Sequence, residues 1–550
     1  MMAASARTSL LVIMPTRLNS RLGMSALSGI CRAAKSSSTN KAALMELKSI
    51  NVNHVKNTFA RFGHGGTGRR FSTNFGHLSQ QDNLLPKRYL GQPTSFTHPH
   101  LLKTDELTPG ITLQEYLSRR TRIMSAVGSS FNATSSNHAV VVLAADKKYM
   151  TDGIPYPFRQ STNFLYLTGF QEPDSALILE TVPGKALPEH KATLFVQQRD
   201  PEKELWDGPR AGTEGALQFL GIHESKPIGE LNETLHCLAK KDELTVWYDI
   251  FKPCNRKLHE EVYTHLIQPC RTRGHSINTL ENTLDLQRVI KSPAEGKLMK
   301  ASASIAAKSI QEVIKLSHPG VNESILFAKL DHSCRVQGAE FLAYPPVIAG
   351  GNRANTLHYI SNNQVVLDNE LVLMDAGCEF HGYASDITRT WPINGHFTQP
   401  QAEVYQAILD IQKQCIEMCK VGRTLDQVYY YMLVGLGRRL QQMGIVQSGH
   451  EEWQLCKIAK QYCPHHVGHY LGMDTHDTGC VSRNSPLQPG MVVTIEPGLY
   501  IPETDTNAPA KFRGIGIRIE DDVLITSAGS QVLSQECPKE ISDIEELMKR

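Results

Sequence analysis

The stretch Leu371-Val-Leu-Met-Asp375-Ala-Gly-Cys-Glu-Phe-His-Gly-Tyr-Ala-Ser-Asp386-Ile-Thr-Arg-Thr390 decides the reading of this chain. Two β-like segments flank a glycine-bearing turn. A hairpin turning at Phe380 and His381 pairs residues whose numbers sum to 761, which sets Asp375 opposite Asp386 with Cβ atoms roughly 4.5–5.5 Å apart. Directly opposed like charges destabilise a sheet, so this arrangement asks for a cation between them. On the hairpin alone a blander reading stays open, in which the turn lies elsewhere and both acids are solvated.

Two further pieces lie downstream. Pro464-His-His-Val-Gly-His-Tyr-Leu-Gly-Met-Asp-Thr-His476 holds four histidines, His465, His466, His469 and His476, and imidazole is both a metal ligand and a proton shuttle near neutral pH. His465 and His469 have the i, i+4 spacing of a helical pair. However, Pro464, Gly468 and Gly472 predict a loop or strand here. Next come Met491-Val-Val-Thr-Ile-Glu496-Pro-Gly-Leu-Tyr500 and Gly514-Ile-Gly-Ile-Arg518-Ile-Glu520-Asp-Asp522, where a carboxylate ends each apolar strand pattern. A bare charge is costly to bury there. Arg518 shares a strand face with Glu520 and can orient or balance a ligand carboxylate. Four acids with histidines and no thiolate make an oxygen-rich, moderately hard donor set that suits Mn²⁺ or a similar ion, and four acids can neutralise two such ions. Paired metals activate water and polarise a carbonyl or phosphoryl oxygen. Peptide and phosphate-ester hydrolysis both remain open on this chemistry.

Upstream the texture differs. Apolar runs at 139–143, 176–179, 192–196 and 245–248 predict buried strands, and the amphipathic material between them gives the rhythm of an α/β domain around a mixed sheet. Ser292-Pro-Ala-Glu295 predicts a capped helix start, with Pro319-Gly320 as its stop. Further helices are expected to end at Gly422 and to run from about Leu425 to Met443. Strands with Gly turns intervene, so the second half reads as α+β. The boundary falls near 285, giving domains at 81–285 and 286–550.

The 550 residues carry 57 Lys and Arg against 55 Asp and Glu, a balance that argues against bulk electrostatic binding of nucleic acid. That balance hides two parts. Residues 1–80 hold eleven bases and one acid, Glu46, for a charge of +10, which leaves −8 for the rest. A basic, Ser-rich, acid-poor leader has the composition of a mitochondrial transit peptide, with a processing region near Arg69-Arg-Phe-Ser72. A disordered basic tail is the alternative, and Met24 offers a start for a shorter, cytoplasmic form. No apolar run reaches a membrane span, so a soluble mature protein is expected. Twelve scattered cysteines without a Cys-x-x-Cys pair read as reduced thiols.

The order Asp375, Asp386, His469, Glu496, Glu520 resembles the ligand order of the pita-bread (creatinase/aminopeptidase-like) metallopeptidases. Asp-Ala-Gly-Cys-Glu379, Gly-Tyr-x-x-Asp386-Ile-Thr-Arg-Thr, His465-x-x-x-His469-Tyr-Leu-Gly-Met-Asp-x-His476-Asp, Glu496-Pro-Gly-Leu-Tyr500 and Gly516-Ile-Arg-Ile-Glu-Asp-Asp522 look like its aminopeptidase P branch. The likeness runs from about 105 to 540. The leader, Gly91-Gln-Pro93 and Glu204-Leu-Trp-Asp-Gly-Pro-Arg210 resemble mitochondrial members of that branch. The resemblance implies an aminopeptidase P-like N-terminal domain, a pita-bread catalytic domain and two divalent ions, most simply Mn²⁺. Asp375 would chelate one metal, Asp386 and Glu520 would bridge both, and His469 and Glu496 would bind the other. Glu496, His465 and His476 would be catalytic, with His358, His465, His476, Arg518 and Tyr500 on the substrate side. A metal-bridging hydroxide would attack peptides with proline at the second position, and Glu496 would pass a proton to the prolyl nitrogen. A homodimer is implied, with Trp206 a candidate contact from the neighbouring subunit; a buried core Trp is the alternative. The rival functions are a prolidase that splits Xaa-Pro dipeptides and a catalytically silent pita-bread scaffold.

Overall fold

Short apolar runs become strands in this chain because both of their faces are covered. A computed structural model describes residues 91–129 and 137–549; the basic leader and its expected processing region lie outside the described residues. A six-stranded mixed sheet runs in the order Ser276–Asn278, Leu244–Trp247, Asn137–Leu143, Ala176–Thr181, His190–Val196, Glu224–Pro227. It contains all four strands that the apolar runs predicted. Along Asn137–Leu143 the pleat sends Val140 and Val142 into a core with Ile123, Met124 and Val127 of the helix Leu113–Gly128. Ala139 and Val141 face a second core with Leu235, Leu238 and Val262. Period-two alternation thus serves a helical layer on each side. The first core does not stop at this sheet: Tyr383, Leu471, Met473 and Val492 of the later chain belong to it.

The helix Pro293–Leu316 begins as its sequence demands. Glu295 N donates to Ser292 Oγ at 3.2 Å, and Ser292 N donates to Glu295 Oε2 at 2.8 Å, a reciprocal cap that satisfies two otherwise orphaned donors. Helices Gln399–Met418 and Leu425–Gln442 follow as expected. With them pack three small antiparallel sheets and a two-stranded ribbon, among them Val347–Gly350, Leu371–Ala376 and Ile387–Pro392 in one sheet, and Val492–Ile495, Asp521–Thr526 and Gly529–Val532 in another.

The hairpin forms, but in another register. Leu371–Ala376 pairs with Ile387–Pro392 so that numbers sum to 763 and Asp375 lies opposite Thr388, and Phe380 pairs Tyr383 in the same frame. The turn residues are therefore His381 and Gly382, with φ of +51° and +83°, a left-handed pair that favours Gly at the second place. The expected register, with Asp375 directly opposite Asp386, is corrected by this one-residue move of the turn. A shift of two in the sum preserves the side-chain faces, so the two aspartates become diagonal neighbours on one face. Gly377 permits the bend between the two ladders, because a Cβ there would fall 1.7 Å from Ser385 O. Among the described residues no helix is long and apolar enough to cross a membrane.

Candidate active site

Strand ends and one irregular loop deliver the predicted acids and histidines to one place. Asp375 lies near the end of Leu371–Ala376, and Asp386 immediately precedes Ile387–Pro392. Glu496 follows Val492–Ile495, and Glu520 sits between Ile515–Arg518 and Asp521–Thr526. The histidine segment is non-helical, as its glycines and proline predicted. It docks through Thr494, whose N donates to His469 O at 2.9 Å while His469 N donates to Thr494 Oγ1 at 3.1 Å. This approach requires Gly468, since a Cβ there would meet Thr494 O at 1.8 Å.

Asp386, His469 and Glu520 offer ligand atoms that all lie within 4.8 Å of one another. His469 Nε2 is 3.4 Å from Asp386 Oδ2 and 3.9 Å from Glu496 Oε1. Its Nδ1 donates to Tyr470 O at 3.1 Å, which leaves Nε2 as the free donor atom for a metal. The Tyr344 hydroxyl lies 2.6 Å from Asp375 Oδ1 and 2.5 Å from Asp386 Oδ1, joining the diagonal pair. Thr388, opposite Asp375, donates its hydroxyl to Glu520 Oε2 at 2.7 Å.

Charge in this cluster is unbalanced. Burial, then repulsion from Asp386, Glu496 and Asp375, pushes the Glu520 carboxyl well above its ordinary range. Burial raises Asp375 against the pull of Arg518, and burial raises Glu496 to about 7 against His469 and Arg518. Burial disfavours a charged His469, yet the hydrogen bond and charge of Asp386 outweigh it and lift the imidazole to about 9. Two buried and two half-buried carboxylates thus draw on one guanidinium and one imidazolium for positive charge. A divalent cation relieves that deficit, and carboxylate oxygens with one imidazole nitrogen are donors that fit it.

Arg518 turns away from the cleft. Nη2 donates to Asp375 Oδ2 at 2.6 Å, Nη1 to Tyr500 OH at 2.8 Å and Nε to Thr388 Oγ1 at 3.1 Å, and the residue is 2% exposed. Its expected place on the substrate side is corrected: every arm of the guanidinium is engaged behind the ligands, where it balances Asp375. Tyr500 moves with it, donating to His465 Nε2 at 2.8 Å. His465 Nδ1 donates to His466 O at 2.8 Å and stands 3.6 Å from Glu496 Oε2, half-buried like that acid. His358 and His476 do line the cleft, a space of about 570 Å³ beside Asp375 and Asp386 with Tyr344, Val347 and Ile360. The His476 ring lies edge-on to His469, centroids 4.4 Å apart. His466 leaves the group for Asp426, 3.2 Å away. Tyr344 and Thr388 escaped the sequence reading; the first carries no charge or periodicity, and the second emerges only from the observed register.

Beneath Glu520 lies a fully buried Arg389. It donates to Glu520 O at 2.6 Å, Asp521 Oδ1 at 2.7 Å, Cys537 O at 2.9 Å and Pro538 O at 3.0 Å, and Lys539 Nζ donates to the other Asp521 oxygen at 2.6 Å. The C-terminal segment is thereby tied to the strand that carries a ligand.

Residues 297–527 match metallopeptidase family M24, and residues 116–247 match the aminopeptidase P N-terminal domain. The chain is 49% identical to Xaa-Pro aminopeptidase 3 of Homo sapiens over 467 residues, covering 85% of this chain and 92% of that one. It is 40% identical to the mitochondrial intermediate cleaving peptidase 55 of Arabidopsis thaliana over 463 residues, covering 84% and 88%. Among solved structures, the Pseudomonas aeruginosa aminopeptidase PepP superposes with a TM-score of 0.72 at 34% identity, covering 80% of this chain and 98% of that one. With the α/β domain ahead of a pita-bread domain and both matches in sequence order, the chain belongs to metallopeptidase family M24, in its aminopeptidase P branch.

Proposed function

We propose that this chain is a mitochondrial, metal-dependent Xaa-Pro aminopeptidase that releases the first residue from peptides with proline second. The observation that supports the reading is the carboxylate cluster in which Asp386, His469 and Glu520 bring ligand atoms within 4.8 Å of one another, beside a cleft that His358 and His476 line. The relatives named Xaa-Pro aminopeptidase 3 and mitochondrial intermediate cleaving peptidase 55 support the substrate class and the compartment.

Asp375, Asp386, His469, Glu496 and Glu520 would hold two divalent ions, Mn²⁺ by the hardness of the donor set. Bound there, the ions supply an activated water at neutral pH and polarise the scissile carbonyl. The chain's own residues do the rest. Arg518 and Tyr344 fix the Asp375 carboxylate. Glu496, backed by His465, holds a proton beside the cleft and hands it to the departing prolyl nitrogen. His476 and His358 face the peptide, where an imidazole N–H can bond the carbonyl oxygen as it gains charge. An Xaa-Pro bond is a tertiary amide without N–H, so recognition must come from shape and from the carbonyl.

Residues 1–80 serve as a transit peptide removed near 69–72, Met24 supplies a cytoplasmic form, and the domains divide near 285. A homodimer fits Leu205 and Trp206, which are 80% and 86% exposed on the helix Pro201–Asp207; the alternative of a core Trp206 is excluded by that exposure.

The test is a metal-depleted enzyme assayed on an Xaa-Pro-Pro peptide and on an Xaa-Pro dipeptide, with Mn²⁺ added back. Cleavage of the longer peptide that returns with Mn²⁺, and that Asp386→Ala or Glu520→Ala abolishes together with bound metal, is the expected result. Preference for the dipeptide would make the chain a prolidase, and failure on both would refute catalysis.

A further inference from the structure

His476 lies on a segment without helix or strand, so backbone ladders do not set the direction of its ring. Its flanking acids are held instead. Asp474 Oδ1 accepts from Thr162 Oγ1 at 2.7 Å and from Arg159 Nη2 at 3.2 Å, and its Oδ2 accepts from Arg288 Nη2 at 2.8 Å. Asp477 takes a second contact from Arg288 Nη2 and one from Lys291 Nζ at 2.9 Å. Arg288 Nη1 donates to Asn163 Oδ1 at 2.7 Å. The side chains of Arg288, Lys291 and Asp477 are 6%, 2% and 1% exposed.

The cations and hydroxyl that grip this loop come from elsewhere in the chain. Thr162 and Asn163 open the helix Thr162–Thr168 beside the first sheet, Arg159 precedes them, and Arg288 and Lys291 lie at the end of and just beyond the helix Glu281–Arg288. Arg159 also reaches the catalytic hairpin, donating to Glu379 Oε2 at 2.6 Å and to Met473 O at 2.9 Å. The buried charges of Arg288, Lys291 and Asp477 keep a fixed geometry, because either sign alone is costly to bury. A charge-assisted bond on each side of His476 therefore restrains the loop at two points three residues apart.

We propose that Asp474 and Asp477 are positioning residues for His476, and that Arg288, with Lys291 and Arg159, sets the angle of that imidazole over the cleft. The segment around Arg159 and the end of the helix Glu281–Arg288 thus tune the reaction without touching the metal ligands. This inference rests on the aminopeptidase reading above for its kinetic effect, and not for its geometry.

The test compares the Mn²⁺-loaded full chain with Arg288→Met, Arg288→Lys and Arg159→Gln, the last a partly exposed site where folding is not at stake. Expected for Arg288→Met is a fall in kcat of up to about 100-fold, the scale of an ångström of misplacement, with metal content and KM kept. Partial return is expected in Arg288→Lys and a smaller fall in Arg159→Gln. Independently of turnover, carbethoxylation of His476, followed by mass spectrometry, should quicken about fivefold in both Arg288→Met and Arg159→Gln, equivalent to about 1 kcal/mol of lost restraint, with His358 unchanged. Wild-type kcat and His476 reactivity in Arg159→Gln and in any folded Arg288 variant would overturn the proposal, as would activity lost in step with bound metal. A wild type that cleaves neither peptide refutes the aminopeptidase reading alone, and His476 reactivity then decides the clamp.

Discussion

Replacing Glu172 with Gln asks whether a buried acid in the first domain carries its proton. Glu172 Oε1 accepts from Ala211 N at 2.6 Å, while Oε2 has no hydrogen-bond partner among the described residues. Burial raises the carboxyl from 4.5 to about 7, against the Ala211 N–H and the charge of Arg210, which lower it. The folded state thus binds this proton more tightly than the unfolded chain. Its stabilising contribution is complete below the unfolded value and is lost as pH rises through about 7. That gap amounts to about 3 kcal/mol. Gln is the isostere of the protonated acid and does not titrate, so Glu172→Gln should gain under about 1 kcal/mol near pH 5 and about 3 kcal/mol near pH 8.5. At roughly 2–4 °C per kcal/mol, the variant should melt about 6–12 °C higher at the alkaline end and about 2 °C higher at the acid end. Thermal unfolding of metal-loaded wild type and variant across that range measures the difference. An equal gain at both ends, or none at about pH 8.5, would refute the assignment.

Two further outcomes follow from the site itself. Tyr344→Phe should weaken metal binding about 10–100-fold by removing the hydroxyl that joins Asp375 to Asp386, read by competition with a chelator. Arg389→Met should destabilise the fold by about 3–5 kcal/mol, because buried Asp521 then keeps Lys539 as its one cationic partner among the described residues; thermal unfolding and proteolysis check it.

Elements that bury a whole face were legible in the sequence. The four strands around Val140, Ile178, Leu194 and Val246 and the capped start at Ser292 depend on local patterns that the tertiary fold only reinforces. Glu496 and Glu520 stood out as acids that end apolar strand patterns, Asp375 and Asp386 as acids on two arms of one hairpin, and His469 as one of four histidines in a short segment. What lay beyond reach was anything set by a turn or by a long-range partner. The hairpin register turned on which two residues take positive φ, and composition alone did not separate Phe380-His381 from His381-Gly382. The placement of Arg518 and Tyr500 behind Asp375 came from side-chain directions across neighbouring strands. No periodicity encodes those directions. Tyr344 has no sequence signal, since a lone Tyr before two prolines looks like any loop.

Arg389 grips the carbonyls of Cys537 and Pro538 as well as that of Glu520, and this has a temporal consequence. Asp375 and Asp386 precede Glu520 by more than a hundred residues, and the segment that braces Glu520 follows it in the chain. Contacts of such wide sequence separation form late. The strand that carries Glu520 is therefore braced only once contacts 148 and 149 residues apart have formed, so the carboxylate cluster is among the later parts of the fold to become rigid.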